Sequence, residues 1–169
     1  SLKNDPVLSR TKLISEGWDP AGLSTIGQFP KGWADWNPRM RDTLKRFAKG
    51  IAEAGPELIV SIEGSPDMFP NGTPDTSVNY VTSHDGFTLY DTTAYNEAHN
   101  DSNAYTSPMD HEFDNCSWNC GAEGETDDNE VNSLRRRQMK NIMTILMLSR
   151  GVPMFWAGDE FANTQYGNN

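Results

Sequence analysis

Glu16 and Asp85 are the residues whose types and settings could do chemistry. Glu16 closes the run Thr11 to Ser15 and precedes the turn-rich Asp19-Pro20-Ala21-Gly22. Asp85, with His84 before it, closes the run Ser77 to Ser83. Two carboxyl groups flanking a glycosidic bond are the equipment of glycoside hydrolysis: one protonates the leaving oxygen, the other attacks or stabilises the oxocarbenium-like transition state. A carboxyl walled by Trp18 and other aromatics has its pKa raised by desolvation, as a general acid requires. His84 is placed to donate to a sugar hydroxyl. The same residues also read as plain caps of the loops after their strands, and residue type alone leaves both readings open.

The aromatics are concentrated in the same region. Trp18, Phe29, Trp33 and Trp36 follow Glu16 closely, and Trp118 stands in a later loop. Flat apolar faces beside hydrogen-bonding groups suit pyranose rings, and they suit core packing equally well.

Elements that would position these groups follow from periodicity. Thr11 to Ser15 reads as a buried strand, and Leu23 to Trp36 as a loop rich in Gly and aromatics. Asn37-Pro38 gives an N-cap with Pro at the first helical position, and Met40, Leu44 and Phe47 recur at i, i+4, i+7. Lys45, Arg46 and Lys49 suit the C-terminal end of that helix, and Gly50 stops it. Glu57 to Ile62 reads as a second strand and Ser77 to Ser83 as a third. Asp127 and Glu130 form a capping box for a helix from Glu130 to Ser149, whose apolar second half must be buried. Val152 to Trp156 is a fourth strand, with Trp156 in the core. Strands alternating with helices point to parallel βαβ units. Functional residue types at strand C-termini are what a (β/α)₈ TIM barrel shows, and about 250 residues make a complete one. The 169 residues here allow roughly half of one, with an open doubly wound sheet as the alternative.

Composition narrows the partners. The net charge is −10, and Asp91 to Glu130 holds eleven acidic residues with no Lys or Arg, so this stretch carries the whole imbalance. It reads as a solvated, acidic loop insertion, without the alternating spacing of a calcium loop. A nucleic-acid partner would need clustered Lys and Arg and is not expected. No run approaches the ~20 apolar residues of a membrane span. Cys116 and Cys120 make neither a disulfide framework nor a zinc site. The chain begins Ser-Leu-Lys-Asn, without a signal-peptide pattern or initiator Met. A piece of a longer cytoplasmic protein, needing no cofactor or metal, is the expectation.

A resemblance sharpens this. Leu13-Ile14-Ser15-Glu16-Gly17-Trp18-Asp19, then Ile26-Gly27-Gln28-Phe29-Pro30, resembles the region around the catalytic acid of the alpha-amylase superfamily, in its isoamylase and glycogen-debranching branch. Trp33-Ala34-Asp35-Trp36-Asn37, Asn79 to Leu89, Ser117-Trp118-Asn119-Cys120-Gly121, Leu134 to Met139 and Gly151 to Phe161 continue it in order. The resemblance implies that residues 1–169 form the C-terminal half of a catalytic barrel, strands five to eight. It makes Glu16 the general acid/base and Asp85 the transition-state stabiliser, with His84, Trp18, Trp33, Trp36 and Trp118 on the substrate. It leaves Asp159 and Glu160 structural. The implied substrate is a branched α-glucan (glycogen, amylopectin or limit dextrin), cleaved at α-1,6 linkages with retention. Gly17 replaces the Pro common in isoamylases and is closer to pullulanases. The family's nucleophile segment, Gly-Phe-Arg-Phe-Asp-like, does not occur in these residues. The piece alone is therefore expected to be inactive and, with open sheet edges, to self-associate. A non-catalytic glucan-binding or scaffold relative, and a transglycosylase on the same scaffold, are the alternatives.

Overall fold

The computed structural model describes residues 2–19, 21–101, 103 and 114–169. Strands β1 (Leu13–Ser15), β2 (Trp33–Asn37), β3 (Ser77–Asn79) and β4 (Val152–Pro153) pair in parallel in the order β1-β2-β3-β4. Helices α1 (Pro38–Ala48) and α2 (Ala54–Ile62) connect β2 to β3. The short α3 (Leu89–Thr92) and the long α4 (Asn129–Leu148) lie between β3 and β4. Among the described residues the sheet has no topological reversal of the kind that defines doubly wound folds. It is a parallel α/β arrangement compatible with part of a barrel.

Helix α1 forms where its caps demand it. The Asn37 side chain accepts from the Met40 N–H at 3.1 Å, and Pro38 follows. Met40 and Leu44 are fully buried, but Phe47 is 45% exposed, and Lys45 turns inward instead. Burial lowers the Lys45 ammonium to about 8, with Arg41 repelling it and Asp42 attracting it.

The run Glu57 to Ile62, expected as a strand, is helical. Its β-branched residues suggested extension, yet Ala54, Leu58 and Ser61 are the buried positions, a helical spacing, while Ile59 stands 61% exposed. Packing of Leu58 against the α1 face outweighs the weak strand preference. Conversely, β2 lies within the stretch expected as loop up to Trp36. Its polar-aromatic composition hides a strand that is paired on both sides. Strand β3 stops at Asn79 rather than Ser83, although Tyr80 to Ser83 stay buried. β4 spans only two residues, and Trp156 is 38% exposed rather than core. Asp128, not Asp127, caps α4, its Oδ1 accepting from Glu130 N (2.8 Å) and Val131 N (3.2 Å). The apolar second half of α4 is buried on one side only: Ile142 and Leu146 are in the core, while Met147 and Leu148 are 48% and 80% exposed.

Met40, Leu44, Leu58, Val81, Leu89, Ile142 and Leu146 form the main core. Each fully buried aliphatic side chain contributes about 1.5–3 kcal/mol. A buried polar seam joins the strands beside it. Asn37 Nδ2 donates to Ser65 Oγ (2.8 Å) and Ser77 Oγ (2.9 Å). Ser77 Oγ donates to Asn79 Oδ1 (2.7 Å), and Asn79 Nδ2 to the Arg150 carbonyl (2.9 Å). Four chain segments are thereby locked in one register, because a slip would strand several buried polar groups at once.

Among the described residues the carboxylates of the acidic segment are exposed apart from Asp91, while the chain between them is packed. Ala94, Tyr95, Asn115, Ser117 and Cys120 are buried. Arg135 of α4, 1% exposed, donates to the carbonyls of Ala122 and Asn119 and to the Tyr90 hydroxyl. Residues 102 and 104–113 of the expected insertion lie outside the described residues.

Candidate functional site

Parallel pairing brings all four strand C-termini to one edge. Ser15 pairs with Asp35, and Trp36 with Val78, so Glu16 emerges one step beyond β1 near the level of Trp36. His84 and Asp85 arrive on the segment that leaves β3. β2 intervenes between β1 and β3, so the two carboxylates come from strands that are not adjacent, and the loop after β3 closes the gap. Glu16, His84 and Asp85 each place one donor or acceptor atom within 4.8 Å of the others. His84 Nε2 stands 3.6 Å from Asp85 Oδ2. All three are exposed, so the aromatic wall expected around Glu16 does not enclose it. Two carboxylates and an imidazole in this arrangement can grip hydroxyl groups or a cation.

Trp36 floors this cluster. Its ring lies 5.7 Å from His84, edge to face, 6.2 Å from Trp18 and 5.1 Å from Tyr80. Tyr80 is wholly buried, with its hydroxyl 3.4 Å from Arg41 Nη1 and the guanidinium 5.7 Å from its ring centre. Burial pushes the Tyr80 hydroxyl above the ordinary tyrosine range; Arg41 opposes this, and the carboxylates of Asp42, Glu16 and Asp85 reinforce it. Tyr80 lies in the Asn79 to Leu89 motif and Arg41 in the first helix, and the sequence assigns neither to the site.

The other tryptophans lie apart. Trp33 begins β2, at the opposite edge of the sheet, stacked on Phe29 at 5.1 Å. Trp118 packs near Lys45, Cys116 and Gln138 on the helical side, its backbone N–H donating to the Thr92 carbonyl.

A buried carboxylate holds the His84–Asp85 segment in place. Asp159, 5% exposed, accepts from the Leu89 N–H (2.9 Å), the Trp156 N–H (3.2 Å) and the Thr82 hydroxyl. Thr82 and Leu89 bracket the site-bearing turn, so Asp159 pins both of its ends to the chain after β4. Glu160, exposed, accepts from Gly158 N at 2.8 Å.

Fold and site together define an α/β protein of sequentially ordered parallel strands, with an acid, imidazole and aromatic cluster at their carboxyl edge. No family model matches the chain. Curated relatives do. The chain is 48% identical over 172 residues to "Isoamylase 3, chloroplastic" of Oryza sativa subsp. japonica. It is 44% identical over 171 residues to the "Glycogen operon protein GlgX homolog" of Mycobacterium tuberculosis, and 39% identical over 177 residues to that of Haemophilus influenzae. Each alignment covers 99% of this chain but only 22%, 24% and 27% of the respective relative. The chain is thus a homologue of isoamylase and GlgX proteins, as its motifs indicated, and spans about a quarter of their length.

No helix among the described residues is long and apolar enough to cross a membrane.

Proposed function

We propose that this segment forms strands five to eight of the catalytic barrel of a debranching glycoside hydrolase that cleaves α-1,6 linkages of a branched α-glucan with retention. The observation that carries the reading is the convergence of Glu16, His84 and Asp85 within 4.8 Å from two separate segments. Capping residues of independent loops have no reason to meet. Glu16 acts as general acid on the leaving glucosyl oxygen and then as general base on water. Asp85 and His84 hold hydroxyls of the sugar as positive charge develops on its ring. Trp36 and Trp18 supply apolar faces beside them. The nucleophilic carboxylate of a retaining mechanism would stand about 5–5.5 Å from the acid. No matching segment occurs in these 169 residues, so the chain alone releases no sugar.

In a full-length chain carrying this segment, Glu16→Gln keeps the shape of the side chain but has no proton to give. General acid–base catalysis is worth roughly 10²–10⁴-fold, so release of reducing ends from amylopectin should fall by that factor, with glucan binding retained. Near-normal turnover would refute the assignment. A parent enzyme already inactive while still binding glucan would establish the scaffold alternative. Alone, the chain presents β1 and β4 as sheet edges and exposes Leu148 and Phe161, at 80% and 72%. Self-association follows, read as a mass above the monomer in light scattering; a stable monomer would contradict it.

A further inference from the structure

At the amino-terminal edge of the sheet lies a second feature, which the chemistry above does not use. A cavity of about 140 Å³ opens between the start of β2 and the segment Phe69 to Thr76. That is close to the ~150 Å³ of an engineered protein cavity that holds benzene, so it can seat one face of a sugar ring, whose hydroxyls then extend beyond it. Phe29 and Trp33, half-buried and stacked with an interplanar angle of 25°, form part of its lining. Lys31, Asn71 and Thr73 add polar groups.

The decisive residue is Asp35. It also lines the cavity and is only 2% exposed. Its Oδ2 accepts from the Gly27 N–H at 2.9 Å, while its Oδ1 is buried with no hydrogen-bond partner among the described residues. A buried, half-satisfied carboxylate is costly to the fold; Oδ1 is closed to solvent as it stands, and a rotation of the carboxylate that turns it to the cavity would let a ligand hydroxyl complete it. An aromatic pair next to an acceptor-only oxygen matches a pyranose ring, which offers an apolar C–H face and a rim of hydroxyl donors. A purely apolar ligand would leave the carboxylate unpaired, and an anion would be repelled by it.

We propose that this cavity is a second saccharide site, taking a single pyranose ring, separate from the Glu16–His84–Asp85 cluster. Trp33 and Trp36 are three residues apart on an extended strand, about 10 Å along it, so the two sites lie at opposite ends of the sheet. That the ring belongs to an α-glucan rests on the function proposed above; the ring-sized cavity does not. Such a site would tether the polymer without touching the bond cleaved. It also gives Trp33 a sugar-binding role away from the reacting carboxylates.

The test is a titration of the chain with maltotriose, followed by the indole N–H signals of Trp18, Trp33 and Trp36 and the amide of Gly27. Saturable shifts of Trp33 and Gly27 are expected. Asp35→Asn keeps an acceptor for Gly27 N–H but loses the free carboxylate oxygen. It should weaken those shifts at least about tenfold, as loss of a charge-assisted hydrogen bond implies. Phe29→Leu, outside the sheet, serves as the second variant and should weaken them likewise, whereas Glu16→Gln should leave them unchanged. Shifts confined to Trp18 and Trp36 would overturn this site and leave the glucan reading standing. No shift at any of the four signals would count against both. Unchanged affinity in both Asp35→Asn and Phe29→Leu would overturn the site whatever else binds.

Discussion

Replacing Asp159 by Ala should cost this chain a large share of its stability, although the residue touches nothing in the proposed reaction. The carboxylate accepts from two backbone N–H groups and one hydroxyl, and two of those donors belong to residues almost wholly buried, Leu89 at 2% and Thr82 at 3% exposure. A hydrogen bond to a charged group is worth about 1.5–3 kcal/mol net, and a buried donor left unsatisfied carries its full desolvation cost. These contributions overlap because they share one acceptor, so the expected loss is about 3–5 kcal/mol rather than their sum. Against a typical total of roughly 5–15 kcal/mol this is severe. At about 2–4 °C per kcal/mol for a chain of this size, the melting temperature should fall by on the order of 10 °C. Urea unfolding followed by circular dichroism measures it, with Glu160→Ala as control. Glu160 is exposed and accepts one backbone N–H, so its loss should cost less than about 1 kcal/mol. An Asp159→Ala midpoint as close to the parent as that of Glu160→Ala would refute the clamp. Amide exchange adds a spatial check, because the turn from Thr82 to Leu89 should lose protection before the core of α1 does.

Two further changes test the packing. The Lys45 pKa is lowered to about 8 by burial, from an ordinary 10.5. The folded state therefore disfavours its charged form, and stability is withheld below pH 8 and recovered as pH rises from 8 towards 10.5. Lys45→Met should stabilise the chain at pH 7, and its advantage should shrink by about 3 kcal/mol by pH 10.5, measured as paired denaturation midpoints; an advantage independent of pH would contradict the buried charge. Gly151 has φ +136°, and a Cβ there would stand 2.5 Å from Asn79 Nδ2 and 2.8 Å from the Ser77 carbonyl. Gly151→Ala should therefore disturb the polar seam and destabilise by about 1–3 kcal/mol in the same assay, with wild-type stability the contrary result.

What residues 1–169 determine by themselves is local and chemical. Asn37-Pro38 specifies where α1 begins, because an N-cap acceptor and a ring-fixed φ act within four residues. The motif around Glu16 and the His84-Asp85 pair mark the groups proposed to carry reactivity, and the ordered series of motifs specifies the kinship. What the chain could not display locally is anything set by a partner distant in sequence. The run Leu58 to Ile62 has strand-like composition and becomes helix because Leu58 packs with Met40 and Leu44, and the aromatic Trp33–Asn37 becomes a central strand because β1 and β3 offer it hydrogen bonds on both sides. Asp159 looked structural but acquires its purpose only when Thr82, 77 positions earlier, folds against it. Trp33 and Trp36, three residues apart and chemically identical, are divided between the two edges of the sheet by strand geometry alone. Glu16 and Asp85, 69 positions apart in sequence, meet because a parallel sheet delivers the C-termini of β1 and β3 to the same edge and the segment after β3, pinned by Asp159, then folds across β2.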